Sequence, residues 1–374
     1  MSAFLDWLAQ AEQARDRAGL RRQAASLKAD EVLDLAGNDY LGLRRHPAVV
    51  AGAVAAAETY GGGSGASRLV TGTLRIHEEL EEALCRLTGA PSALVFSTGY
   101  HANLSVLTAL ADDQTLIVSD AHAHASLIDG ARLSRGTVAV SRHNDLDHVR
   151  ELLAGRSLPR ALVVVESVYS VLGDAAPLAY LAELASEYAA VLVVDDAHGI
   201  GVVGPGGEGG VAAAGLSGRD HVVVTATLSK SLAAQGGAVL GHPAVREHLV
   251  NTARPFIYDT GLAPAAAGAA LGALEVLARD PALARAVRAN AARLAEACGV
   301  DGPAGAVLSV AMPGPAEALE AVAAAGSRGI RIGCFRPPST PDGSSRLRLT
   351  AHADHRPDQV EQAAQVLGEL TRRG

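Results

Sequence analysis

The chain is poor in cysteine, in lysine and in long apolar runs, and each shortage removes a class of protein. Its three cysteines, Cys85, Cys298 and Cys334, are odd in number, far apart and without C-x-x-C spacing, which argues against a disulfide framework or a structural zinc site. No apolar window reaches the length of about 18 residues that a membrane span needs. Helical spacing of apolar residues at the N-terminus is interrupted by Asp6, Glu12 and Asp16, unlike the unbroken apolar core of a signal peptide. Positive charge is not concentrated either: the net charge is −8 and the basic residues are scattered, so neither nucleic acid nor an anionic membrane is the expected partner. What is present is a chain of 374 residues with 49% apolar content, enough for one large globular unit or two modest domains. The expectation is a reduced cytoplasmic protein that acts on small molecules.

Lysine and arginine together number 32, yet only Lys28 and Lys230 are lysines. A coding preference for arginine accounts for the surface but leaves Lys230 in need of a reason. A guanidinium, with a pKa above about 12, cannot become a free amine near neutral pH, whereas a lysine can lose its proton and form an imine. Lys230 is therefore a candidate nucleophile.

Short β-branched runs recur at 93–97, 115–119, 137–141, 161–166, 191–195, 221–225 and 237–240, most of them separated by helical periodicity. Runs such as LVVV and VLVVD are apolar on both faces, which predicts an α/β fold with a mainly parallel sheet between helix layers. Catalytic groups then belong at the strands' carboxyl ends. Beyond about residue 262 the pattern changes to a long Ala-rich helical stretch, strands at 306–312, 330–333 and 346–350, and a last helix from Pro357. This predicts a smaller α+β domain, dividing the chain into 1–45, 46–262 and 263–374.

In VLVVDDAHGIG, Asp195 ends a buried strand with His198 three residues on. An acid there needs a cationic partner, such as a protonated pyridine nitrogen, or it merely caps a loop. In HVVVTATLSKSLAAQGG, Thr225 ends a strand, Thr227 and Ser229 supply hydroxyls, and Lys230 follows. That set suits a phosphate and an aldehyde. Gly199, Gly201 and Gly204 satisfy G-x-G-x-x-G after a strand, but the further glycines and Pro205 behind them prevent a prompt helix, so a nicotinamide site is set aside. ALVFSTGYHAN runs from strand into helix, which leaves amides near Gly99 and Tyr100 for a phosphate. His122 and His124 lack a cysteine or carboxylate at ligand spacing, so His124 is read as packing on a cofactor ring or as a structural residue, and no metal is expected.

Seven strings in order, NDYLGL from Asn38, GASRLVTG from Gly65, HASL from His124, DDAHGIG from Asp195, TLSK ending at Lys230, FIYDTGLAP from Phe256 and FRPP from Phe335, resemble the α-oxoamine synthases among fold-type-I pyridoxal-phosphate (PLP) enzymes. The resemblance runs over nearly the whole chain. It implies a large domain with a mainly parallel seven-stranded sheet flanked by helices, a smaller C-terminal domain joined by the N-terminal segment, and pyridoxal 5′-phosphate as Schiff base on Lys230. It further implies that Asp195 pairs with the pyridinium nitrogen and His124 stacks on the ring. Ser170 and His198 would bind the ring oxygen, and Thr227 with the amides of Gly99 and Tyr100 the phosphate. Arg21, Asn38, Arg336 and Ser339 would contact substrate, and Thr260 would reach across a homodimer to the second subunit's phosphate.

Within the family the NDYLGL, SRLVTG and RPP-x-x-P-x-G-x-x-RLRLT strings are most similar to members that condense L-alanine with pimeloyl-CoA or a pimeloyl carrier protein in biotin synthesis. The alternatives are 2-amino-3-ketobutyrate ligase, 5-aminolevulinate synthase and serine palmitoyltransferase. Different classes are a PLP aminotransferase and a binding protein without catalysis. Two departures stand out, Ser339 where threonine is usual and Asp259 with Gly261 in place of serines.

Overall fold

The computed structural model describes all residues except 1, 18–20, 22, 23, 25–31, 338, 341 and 372–374; Lys28 and Pro338 lie outside the described set. Two compact units result, Met1–Val32 and Leu33–Gly374. The first contains helix α1 (Ala3–Arg17), with no buried residue, and Arg21, whose guanidinium pairs with Glu12 at 3.1 Å and Asp16 at 3.3 Å.

In the second unit the strands are β1 (Leu33–Leu35), β2 (Ser92–Phe96), β3 (Thr115–Asp120), β4 (Thr137–Ser141), β5 (Arg160–Glu166), β6 (Val191–Asp195), β7 (Val222–Thr227), β8 (Gly237–Gly241), β9 (Val307–Met312), β10 (Ile330–Phe335) and β11 (Ser345–Thr350). Seven of them form one sheet in the order β2-β8-β7-β6-β5-β3-β4. β8 runs antiparallel to both β2 and β7, and the remaining pairs are parallel. The apolar runs explain why this sheet is covered on both sides. Along β5, Ala161, Val163 and Val165 join one core cluster while Leu162 and Val164 join another, and β6 alternates in the same way. Side chains that alternate between two dry cores fix the register, because a slip of one residue would exchange the faces.

A second sheet, β1-β10-β11-β9, is built mostly from the C-terminal third, with β1 parallel to β10. The segment after β1 therefore starts at the small sheet and leads through Asn38 and Tyr40 toward the large one. Helix Pro264–Arg279 follows the expected boundary at 262 and packs on helices α2 (Pro47–Tyr60) and α3 (Arg75–Thr88).

Candidate active site

A cavity of about 260 Å³ opens where β5, β6 and β7 end and helix α4 (Gly99–Leu110) begins. Of the residues singled out in the sequence, Gly99, Tyr100, His124, Asp195, His198, Thr227, Ser229 and Lys230 line it. Glu166, Asn103 and Ser126 line it as well.

At one end, Thr98 caps α4 by accepting from the His101 amide at 3.0 Å. The amides of Gly99 and Tyr100 find no acceptor among the described residues, as the first turn of a helix dictates unless an anion or water arrives. Thr227 comes close enough that a Cβ on Gly99 would lie 3.0 Å from its Cβ. Glycine is what permits the approach. Thr227 Oγ1 also meets Ser229 Oγ at 2.7 Å, so hydroxyls and free amides converge.

In the floor, Asp195 and Glu166 stand opposite each other in the β5–β6 register. Asp195 accepts from Asn103 Nδ2 at 2.7 Å and from the Ala197 amide at 3.0 Å. Asn103 Nδ2 also reaches Ser126 Oγ at 2.7 Å, and that hydroxyl meets His124 Nδ1 at 2.7 Å. Burial, and then the Asp195 carboxylate, push Glu166 well above the usual range. Its Oε2 accepts from the Ser170 amide at 3.1 Å, while Oε1 is buried without a partner among the described residues. Asp196 serves a different purpose: it accepts from Ser167 Oγ and the amides of Gly210 and Val211, anchoring the glycine-rich loop. A Cβ on Gly199 would strike that carboxylate, at 1.9 Å from Oδ1, and helix starts only at Gly210.

At the wall, Lys230 Nζ lies 2.7 Å from His198 Nε2. His198 Nδ1 lies 2.7 Å from the Tyr40 hydroxyl, and Tyr40 reaches Asn38 Oδ1 at 3.1 Å. Arg348 closes the chain by donating to Asn38 Oδ1 at 3.2 and 3.3 Å and to Ser170 O at 2.6 Å. Burial lowers Lys230 to about 8, against the raising influence of Asp195 and Glu166. Burial and the Lys230 charge hold His198 well below its ordinary value, so its ring is neutral. His124 is likewise lowered, by burial first.

The loop that carries Ser170 is held from outside the cavity. Asp174 Oδ2 meets His143 Nε2 at 2.8 Å, and His143 Nδ1 meets Asp120 at 2.8 Å. Burial opposes the charged ring, but the two carboxylates prevail and raise His143 to about 9.

Other expected residues lie elsewhere. Ser170 is tied to Glu166 and Arg348 without lining the cavity. Asn38 does not line the cavity and is linked to His198 through Tyr40. Arg336 and Ser339 share the turn after β10, with the Ser339 amide on Arg336 O at 2.9 Å. Thr260 is exposed and does not line the cavity. The two departures beside it have structural reasons: Asp259 accepts from Ser97 Oγ at 2.5 Å and meets His101 at 3.3 Å, and a Cβ on Gly261 would lie 2.8 Å from Gly72 O.

Comparison with known proteins agrees with this arrangement. The family model described as aminotransferase class I and II matches residues 30–367. An 8-amino-7-oxononanoate synthase of Mycolicibacterium smegmatis is 53% identical over 98% of this chain and 96% of its own, and one of Mycolicibacterium gilvum is 51% identical over 99% and 98%. Among solved structures, serine palmitoyltransferase from S. paucimobilis with bound PLP–myriocin aldimine superposes with TM-score 0.89 at 30% identity, covering 99% of this chain and 98% of that one. The 8-amino-7-oxononanoate synthase of Francisella tularensis gives TM-score 0.79 at 25% identity, over 92% and 99%. With 338 consecutive positions in the family's pattern and half of all residues shared with its curated synthases, this chain belongs to the class I and II aminotransferase family, in the branch of the 8-amino-7-oxononanoate synthases.

Proposed function

We propose that the chain condenses L-alanine with a pimeloyl thioester to give 8-amino-7-oxononanoate, carbon dioxide and the free thiol, with pyridoxal 5′-phosphate as its cofactor. The observation that carries this reading is the Lys230–His198 contact of 2.7 Å beside Asp195 in a cavity at the strands' carboxyl ends. The residues present fit the cofactor. Unsatisfied amides at Gly99 and Tyr100 with Thr227 suit its phosphate, buried Asp195 its ring nitrogen, and His124 its ring face. His198 suits the ring oxygen, and Ser170, tied to Glu166 outside the cavity lining, is proposed beside it. When bound, the cofactor supplies an electron sink for charge that develops at the amino acid's Cα.

The chain's own groups supply the rest. Lys230, which burial brings down to about 8 and so makes easier to deprotonate than an exposed lysine, would hold the cofactor and would take the Cα proton and later return one. Asp195, held by Asn103 and the Ala197 amide, presents a fixed negative charge without reorganisation during the reaction. Neutral His198 holds the amine in place. Arg21, Asn38, Arg336 and Ser339 are proposed for substrate, Arg336 as a bidentate clamp on the amino acid's carboxylate.

A homodimer with shared sites is proposed, supported by the exposed apolar side chains Leu69, Val70 and Tyr258 near the segment that bears Thr260. No described helix is long and apolar enough to cross a membrane, and a cytoplasmic location is proposed on the three free cysteines. The three-part division at residues 45 and 262 is also a proposal, supported by the pairing of β1 with β10. Incubation with alanine and pimeloyl-CoA, followed by mass identification of the product, tests the function. Faster turnover of glycine with acetyl-CoA, or of serine with palmitoyl-CoA, would move the chain to another α-oxoamine synthase.

A further inference from the structure

Behind β11 the chain reads His352-Ala-Asp-His355, away from the cavity and unused by the chemistry above. We propose that His352, Asp354 and His355 bind one divalent transition-metal ion of the zinc class. One ring nitrogen from each histidine and a carboxylate oxygen all lie within 4.8 Å of one another. Ligands around a tetrahedral zinc stand roughly 3.3 Å apart, given metal–nitrogen distances of about 2.0–2.1 Å. Modest side-chain rotation closes that gap.

Three features set this cluster apart from a chance grouping. His355 Nδ1 is buried and has no hydrogen-bond partner among the described residues, a cost that a metal bond would remove. His352 is 6% exposed and its Nε2 lies 3.2 Å from Gly37 O. An imidazole that donates one N–H to a backbone carbonyl offers its other nitrogen as a ligand with a fixed ring orientation. The turn itself is held before any ion arrives, because Asn290 Nδ2 donates to His352 O at 2.8 Å and to His355 O at 3.5 Å. The two rings stand stacked, 4.6 Å between centroids and 12° apart in plane.

Asp354 is exposed, which opens a path from solvent. It lies against Gly42, where a Cβ would fall 2.1 Å from the carboxyl carbon. Two imidazoles with one carboxylate suit zinc, cobalt or nickel, not magnesium or calcium, which take oxygen ligands. The ion would brace a working part of the molecule. Ala353 donates to Tyr40 O at 2.7 Å and Thr350 Oγ1 to Gly37 O at 2.6 Å, so the cluster backs the segment that delivers Asn38 and Tyr40 to His198.

The test is titration of the purified holoenzyme with Co²⁺, read by its visible ligand-field absorption, followed by displacement with Zn²⁺. Asp354→Asn and His355→Ala are run beside the wild type, with circular dichroism to confirm that each is folded. One equivalent of Co²⁺ should bind saturably, Zn²⁺ should displace it, and each variant should bind at least about tenfold more weakly. Absence of saturable binding, or binding of equal strength in the wild type and the folded Asp354→Asn protein, would overturn the assignment.

Discussion

Replacing Tyr40 by phenylalanine should raise the pH at which Lys230 loses its proton in the apoprotein. Arg348 fills both lone pairs of Asn38 Oδ1 at 3.2 and 3.3 Å, so the phenol proton of Tyr40 is directed to His198 Nδ1 at 2.7 Å, not to Asn38 at 3.1 Å. That assigns the proton of neutral His198 to Nε2. Nε2–H then donates to Nζ at 2.7 Å, and only an uncharged amine can accept such a bond. The relay thus adds to the burial that already lowers Lys230 to about 8. Phenylalanine keeps the fully buried ring but removes the bias, leaving His198 free to offer Nε2 to an ammonium. The loss of one hydrogen bond is worth about 0.5–1.5 kcal/mol. At about 1.36 kcal/mol per pH unit, the midpoint should rise by about 0.4–1.1. A Lys28→Arg background leaves a single lysine, so reductive ¹³C-methylation gives one lysine resonance whose chemical shift reports the titration. An unchanged or lower midpoint in Tyr40→Phe would refute the relay.

His143, at about 9 in the folded chain against an ordinary 6.5, contributes stability that is complete below about pH 6.5 and is lost as pH rises through 9; denaturant titrations of His143→Gln should lack that alkaline decline. Glu81 accepts from buried Arg68 and the Val95 amide at 3.1 Å and from Arg246 at 3.2 Å, so Glu81→Ala should destabilise by about 3–5 kcal/mol, read from the urea midpoint; a change below about 1 kcal/mol would contradict a buried pair. Thr260→Val should weaken cofactor binding by about one to two powers of ten, the worth of a charge-assisted hydrogen bond. Mixed with Lys230→Ala, it should regain activity by forming heterodimers with one intact site; no recovery under subunit exchange would show that sites are not shared.

The large sheet was legible because its strands are buried on both faces. Runs such as Val191–Asp195 carry enough apolar surface to announce themselves, and the structure places β6 on the same residues. β1 escaped, since three residues at Leu33–Leu35 have no periodicity to detect and gain strand geometry only from β10. The site was legible where a residue type is chemically irreplaceable, as with Lys230, and where it ends a strand, as with Asp195. Asn103 was within reach: a carboxamide among Ala102, Val106 and Leu107 in a buried helix face needs partners, which makes it suspect. Arg348 was not. Alternation in RLRLT puts it on the polar face of its strand, and only the fold brings Asn38, 310 positions earlier, against it.

The opposition of Glu166 and Asp195 across β5 and β6 also bears on quality control in the cell. A slip of one residue would set Val165 or Ser167 where Glu166 stands and turn Asp195 toward the wrong core, so the cofactor pocket exists only in molecules whose strands are paired correctly. Ligand binding then sorts the population by mass action. Correct molecules are held folded by what they bind, and misaligned ones, unable to bind it, are left to proteolysis.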